Sequence, residues 1–242
     1  MFRYIWDTFF FNPVYNALIF FVDKVPGGDV GIAIILTVIL IKVILLPLSI
    51  KAAKTQKIMR EIEPQLRELK TKFKDDKQKQ AEEMMKIYRE AGLNPFSAIA
   101  VFFLQIPIVV ALYFAVSGYG GVQLPEVKDF VLYSFISIPQ EISMMFFSAI
   151  NMAERSFWLA LLAGLTMYYQ MKLVMDAIPK REITDQSDFT AQLAKNMQTQ
   201  MKYVMPVMIA VFAYIISAAI ALYFLISNIV AILQEFYIRK HR

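Results

Sequence analysis

Apolar residues run almost unbroken through four stretches, Val30 to Ile50, Phe96 to Val116, Phe157 to Met175 and Tyr203 to Ile238, and polar residues crowd the segments between them. Each of the first three is close to the ~20 helical residues that cross a bilayer core. The fourth is too long for one crossing, since as a single helix it would measure about 54 Å against a core of about 30 Å. It is expected to fold into two short helices with a turn near Ser217 to Ala219. The pattern thus predicts an all-α membrane protein with five transmembrane helices, 30–50, 96–116, 157–175, 205–218 and 220–238.

Between the first two spans, over 51–94, the pattern changes to an amphipathic one. Ile58, Ile62, Leu66, Leu69 and Phe73 are spaced 4, 4, 3 and 4 residues apart, which places them on one helical face. After Lys74-Asp75-Asp76, the residues Ala81, Met84, Tyr88 and Ala91 mark a second face, and Gly92 with Pro95 supplies a stop. Two such stripes can bury each other in an antiparallel hairpin. Pro64 must kink the first helix or begin a new one, because it removes a donor and crowds the previous turn. The opening segment 1–29 is rich in aromatics and is read as mature sequence, because it lacks a basic start and a small-residue cleavage site. Asn12-Pro13 is expected to interrupt it, which favours an external amphipathic segment lying in the interface over a span.

Charge then orients the spans. Of the 25 Lys and Arg residues, twelve lie between Lys51 and Asn94, five between Lys172 and Lys202, and three in the tail from Arg239 to Arg242. Under the positive-inside rule these segments are cytoplasmic, with the N-terminus outside and the C-terminus inside. Trp6, Trp158, Tyr4 and Tyr119 fall where interfacial anchors are expected. The hairpin region carries eight acidic residues against its twelve basic ones, a balance too weak to imply general nucleic-acid binding. It reads either as a solvated spacer or as a docking arm for a partner such as a ribosome or nascent chain.

Composition narrows the chemistry. With 58% hydrophobic residues and twenty phenylalanines among 242 positions, the chain is an integral membrane protein. It has no cysteine, and its one histidine is His241 in the tail, so thiol chemistry is excluded and histidine-based metal or triad chemistry has almost nothing to work with. The chain is not expected to be an enzyme or to need a cofactor or metal. No internal repeat relates its halves.

Lys42 is the exception inside the first span. At roughly 1.5 Å per residue it lies more than about 10 Å from either end, and a charge at that depth costs about 2.5 kcal/mol or more in lipid. It should face a wet or protein-lined cavity, or else be satisfied by backbone carbonyls opened by Pro47. The other polar span residues include Gln105, Tyr113, Gln170, Tyr223, Ser227, Asn228 and Gln234, any of which can serve as glue between helices at about 0.6 kcal/mol each. No Asp or Glu occurs in 30–50, 96–116, 157–175 or 203–233. A cation relay normally needs an acidic carrier, so the lone cation suits anionic or acidic cargo. Pro47 and Pro107 are expected to bend their helices. The methionines at 197, 201, 205 and 208, and at 167, 171 and 175, follow helical spacing, either as packing surface or as a pliable slide for varied apolar segments.

Several motifs carry a resemblance. Ile39-Leu40-Ile41-Lys42 through Leu46-Pro47-Leu48 is followed by Asp75-Asp76-Lys77-Gln78, Glu83-Met84-Met85 with Tyr88, and Asn94-Pro95. Further along come Leu104-Gln105-Ile106-Pro107-Ile108, Met205-Pro206-Val207, and Leu222-Tyr223 before Ser227-Asn228. In this order and spacing the chain resembles the YidC-type membrane protein insertases of the YidC/Oxa family, in a compact form near the minimal core. The resemblance implies a bacterial plasma (inner) membrane protein with a hydrophilic groove open to the cytoplasm and to lipid. It also implies nascent membrane proteins as clients, with the ribosome and Sec translocon as candidate partners. The residue at the position of Lys42 is usually arginine in that family and draws in the polar outer tail of a client, while lysine keeps the charge and loses the bidentate fork. Val38 and Ala219 also depart from common family residues, threonine and glycine. The implied groove residues are Lys42, Gln105, Tyr113, Gln170, Tyr223, Phe224, Ser227 and Asn228. Rival readings are a small-anion channel or transporter and an assembly chaperone for spans already inserted.

Overall fold

The computed structural model describes residues 2–74, 76–92, 96–118, 123–176 and 200–240. Asp75, Asn94-Pro95, Tyr119, Met197, His241 and most of the basic segment before Lys202 lie outside the described residues. The described residues form, in chain order, α1 (Phe2–Trp6), α2 (Asn12–Lys24), α3 (Val30–Glu61), α4 (Glu63–Lys72), α5 (Lys77–Glu90), α6 (Phe96–Ser117), α7 (Phe157–Asp176), α8 (Met205–Ile216) and α9 (Ala218–Lys240). The chain divides into two compact units, one of Met1–Val43 with Pro107–Arg242 and one of Ile44–Ile106.

The opening segment differs from the sequence expectation. Asn12-Pro13 does not interrupt it: α1, a π-helical turn (Asp7–Phe11) and α2 follow one another without a break. The Asn12 amide donates to the Asp7 carbonyl, and Pro13 occupies the first turn of α2. A wider turn therefore precedes the proline, which sits where no intrahelical donor is required. By length and composition Arg3–Lys24, Val30–Thr55 and Ala218–Ile238 are each apolar enough to cross a membrane, while Phe103–Ser117 and Gln200–Ile216 are shorter apolar helices. Pro47 and Pro107 lie inside helices that run on through them.

In the larger unit, α7 packs along both α8 and α9, and those two pack on each other. Gly164 permits the close approach of α7 and α8, since a Cβ there would stand 2.8 Å from the Ala210 Cβ. Small residues at such crossings let backbones meet where lipid offers no competing hydrophobic drive. Only Ser217 separates α8 from α9, in extended conformation at φ −170° and ψ 163°.

The loop from Gln123 to Ser156 covers one end of this unit. It carries a two-stranded hairpin, β1 (Met145–Phe146) with β2 (Ile150–Asn151). Its bonds reach far along the chain. Ser143 exchanges backbone hydrogen bonds with Gly28 and Val30 at 2.9 Å each. Gly28 has positive φ, and an added Cβ there would meet the Glu141 carbonyl oxygen, so that close approach requires glycine. The buried Asn16 side chain donates to the Val131 carbonyl at 3.0 Å and accepts from the Tyr133 amide at 2.7 Å. The Tyr15 hydroxyl accepts from the Lys128 amide at 2.8 Å. At the last helical pair, the Ala218 and Ala219 amides donate to the carbonyls of Glu154 and Met152.

The smaller unit contains the amphipathic hairpin. Ile62 and Leu66 form its core, with Ile58, Met59, Met84, Ile87, Tyr88 and Ala91 packed around them. Ala81, expected on the apolar face, is exposed, and Ile87 takes part in its place. Pro64 stands in the first turn of α4, so it begins a helix. Asp76 caps α5 by accepting from the Lys79 amide at 3.0 Å, the side-chain cap expected at a helix start.

Candidate functional site

The site is built outward from Asp29, which stands just before the apolar run of α3. One carboxylate oxygen accepts from the Ile32 amide at 3.0 Å and the other from the Phe147 amide at 2.9 Å. The first bond satisfies a donor that the helix start leaves without an intrahelical partner. The second pins the β1–β2 turn to the end of the span. From there Val30, Ala33, Ile34, Thr37 and Val38 are buried, and the Thr37 hydroxyl donates back to the Ala33 carbonyl at 2.8 Å. Beyond Val38 the environment changes, with Ile39, Leu40, Val43 and Ile44 all exposed apolar residues. Lys42 is half-buried in that stretch, thirteen residues and about 20 Å along the helix from the Asp29 clamp.

Tyr223, Phe224, Ser227 and Asn228 share α9. Tyr223 is buried and hydrogen-bonded to Ser227 one helical turn away. Phe224 is half-buried, edge-on to Phe212 of α8 with centroids 6.4 Å apart. Asn228 is buried and donates to the Ala163 carbonyl at 3.1 Å and to the Thr166 hydroxyl at 3.3 Å, both on α7. That is the interhelical glue open to any polar span residue. Gln170, half-buried, follows Thr166 by one turn on α7 and so shares its face. The structure thus gathers these α9 residues onto α7 and α8.

Lys42, Tyr113 and Gln105 stand on α3 and α6. Tyr113 is half-buried beside Phe114, with ring centroids 5.4 Å apart, and Gln105 is half-buried in the Ile44–Ile106 unit. Sequence reasoning missed Asp29, Asn16 and Thr166. For Asp29 the signal was available, an acidic residue directly before an apolar helix. Thr166 offers none, because its partner lies 62 residues away. Among the described residues no cluster of His, Cys, Asp or Glu could hold a metal ion.

Residues 21–242 match the family described as 60Kd inner membrane protein. The chain is 32% identical over 240 residues to the membrane protein insertase YidC of Oceanobacillus iheyensis, covering 98% of this chain and 84% of that one. It is 30% identical to the membrane protein insertase MisCA of Bacillus subtilis, covering 97% and 79%. A solved structure described as an active YidC insertase with its first transmembrane domain resolved superposes with a TM-score of 0.54 at 24% identity, over 94% of this chain and 46% of that one. That likeness shows the shared fold, and the sequence matches span nearly the whole chain; the chain belongs to the YidC/Oxa1 family of 60Kd inner membrane proteins, whose relatives named above are membrane protein insertases.

Proposed function

We propose that this protein receives hydrophobic nascent chains and inserts their spans into the bilayer, using the charge of Lys42 in a groove open to the cytoplasm and to lipid, without nucleotide hydrolysis or other enzymatic chemistry. The observation that carries the reading is a lysine held half-buried about 20 Å along α3 from an end tied down by Asp29. Moving a polar tail through hydrocarbon costs several kcal/mol for each unpaired polar group. A fixed cation partway across, reached by water, shortens the dry path for an acidic or polar tail. The client's apolar span then moves sideways into lipid, drawn by the hydrophobic effect.

In this reading the Gln123–Ser156 loop is the outer cover. The α1–α2 segment lies along it in the interface, since its bonds from Tyr15 and Asn16 go to Lys128, Val131 and Tyr133 of that loop. The N-terminus is then outside, the C-terminus cytoplasmic, and the 51–94 hairpin faces ribosome, targeting factors or Sec translocon. Buried Tyr223, Ser227 and Asn228 brace the wall, while half-buried Phe224 and Gln170 offer the contact surface.

The test replaces Lys42 by Ala, Glu and Arg and measures insertion of a single-span client with an acidic outer tail into proteoliposomes. Arg is expected to retain insertion, and Ala and Glu to lower it roughly tenfold, the equivalent of about 1.4 kcal/mol. Undiminished insertion with Ala and Glu removes Lys42 from the mechanism.

A further inference from the structure

Where the covering loop runs into α7 it leaves a cavity of about 260 Å³, lined in part by Asn151, Glu154, Arg155, Ser156, Phe157 and Trp158. It is small beside the ~300–1,000 Å³ of pockets for drug-sized ligands. Two opposite charges, successive in sequence, are among its lining residues. The Glu154 carboxylate accepts from the Asn151 side chain at 2.8 Å through one oxygen, which leaves the other to accept again. The Arg155 Nε donates to the Ile215 carbonyl at 3.2 Å, which leaves both terminal nitrogens of the guanidinium for an anion.

The surroundings are those of a headgroup layer. Phe157 and Trp158 open the apolar run of α7 and are 59% and 70% exposed. Their rings meet edge-on at 5.5 Å, and Phe157 also meets Tyr214 of α8 at 6.5 Å. Exposed aromatic clusters at the first turn of an apolar helix occupy the level of lipid headgroups. A cavity of this size, set there, takes a headgroup and leaves the acyl chains along the aromatic surface.

The geometry points to a binding site for a zwitterionic phospholipid with a primary ammonium, its phosphate on Arg155 and its ammonium on Glu154. An anionic lipid is the poorer ligand, because a carboxylate lines the same cavity and opposes its charge, and the ammonium position goes unfilled. A charge-assisted contact is made at each end of the zwitterion.

The chain has two tryptophans, so Trp6→Phe leaves Trp158 as the sole fluorescent reporter on the cavity wall. The protein is reconstituted with phosphatidylethanolamine or phosphatidylglycerol carrying bromines high on the acyl chains, and quenching is followed against lipid mole fraction. Phosphatidylethanolamine is expected to quench at mole fractions about tenfold lower, the equivalent of one charge-assisted contact. Glu154→Gln and Arg155→Gln should each abolish the preference. Glu154→Gln keeps the Arg155 to Ile215 bond, so its result stands even if Arg155→Gln fails to fold. Equal quenching by the two lipids, or an unchanged preference in Glu154→Gln, overturns the assignment. Relief of quenching by inorganic phosphate, with none by glycerophosphoethanolamine, also overturns it by showing a simple anion site.

Discussion

The Gln123–Ser156 loop and the 51–94 hairpin both join apolar helices, and they are built by opposite means. The loop holds its place through hydrogen bonds to residues more than a hundred positions away, such as Asn16 to Val131 and Asp29 to Phe147. The hairpin holds itself with a local apolar core around Ile62 and Leu66 and one cap at Asp76. Long-range polar ties give way only with the elements they join, whereas a short local core can open by itself. The first is a loop fixed by distant elements, the second an arm that carries its own core.

The sharpest way to break this contrast is Asp29→Ala. It removes two hydrogen bonds to a charged acceptor, each about 1.5–3 kcal/mol, so a loss of roughly 3 kcal/mol or more is expected as a lower thermal midpoint in nanodiscs. Asp29→Asn should recover part of it, and an unchanged midpoint for Ala would mean the clamp carries no weight. Next in size is Leu66→Ala, expected to cost about 2 kcal/mol. Its mark should be faster hydrogen exchange over residues 58–91 with protection of 30–38 intact. Faster exchange in both regions would show that they melt together.

Asp76→Ala should cost about 1 kcal/mol through the lost cap, read as faster exchange of the Lys79 amide and its neighbours. The smallest effect is expected at Lys128, whose ammonium lies buried over the Phe11 ring, 5.2 Å from its centroid. Burial lowers its pKa below the usual lysine value, with Asp7 partly opposing. The unfolded chain then binds the proton more tightly, so this lysine costs stability at neutral pH and the cost fades as pH rises toward the ordinary lysine range. Lys128→Met should raise the thermal midpoint at pH 7 and lose that advantage toward pH 10; a pH-independent gain would assign the effect to packing alone.

What could be read from the sequence followed periodicity. The apolar stretch from Phe157 became α7, the long final run broke at Ser217, and the stripe through Ile62, Leu66 and Leu69 became a buried face. Pro13 misled because a proline near a helix start is harmless, and nothing in the pattern marks the π turn that absorbs it. The cover was invisible for a deeper reason: its partners are backbone atoms distant in sequence, and hydrogen bonds to backbone leave no trace in residue type. Lys42 stood out because an isolated charge in an apolar run contradicts its surroundings, and it lies half-buried in α3. The joining of Asn228 to Thr166 depended on how α7 and α9 cross, which no local pattern encodes.

Most ties of the cover end on peptide groups of the loop, namely Val131, Tyr133, Ser143, Phe147, Met152 and Glu154. The side chains of those positions are therefore largely released from the task of holding the loop, which falls on Asn16, Asp29, the tight bend at Gly28 and the Ala218 and Ala219 amides. Evolution can repaint this surface, changing its charge or stickiness, and the loop will stay fastened as long as those few anchors and the peptide groups at the start of α9 persist.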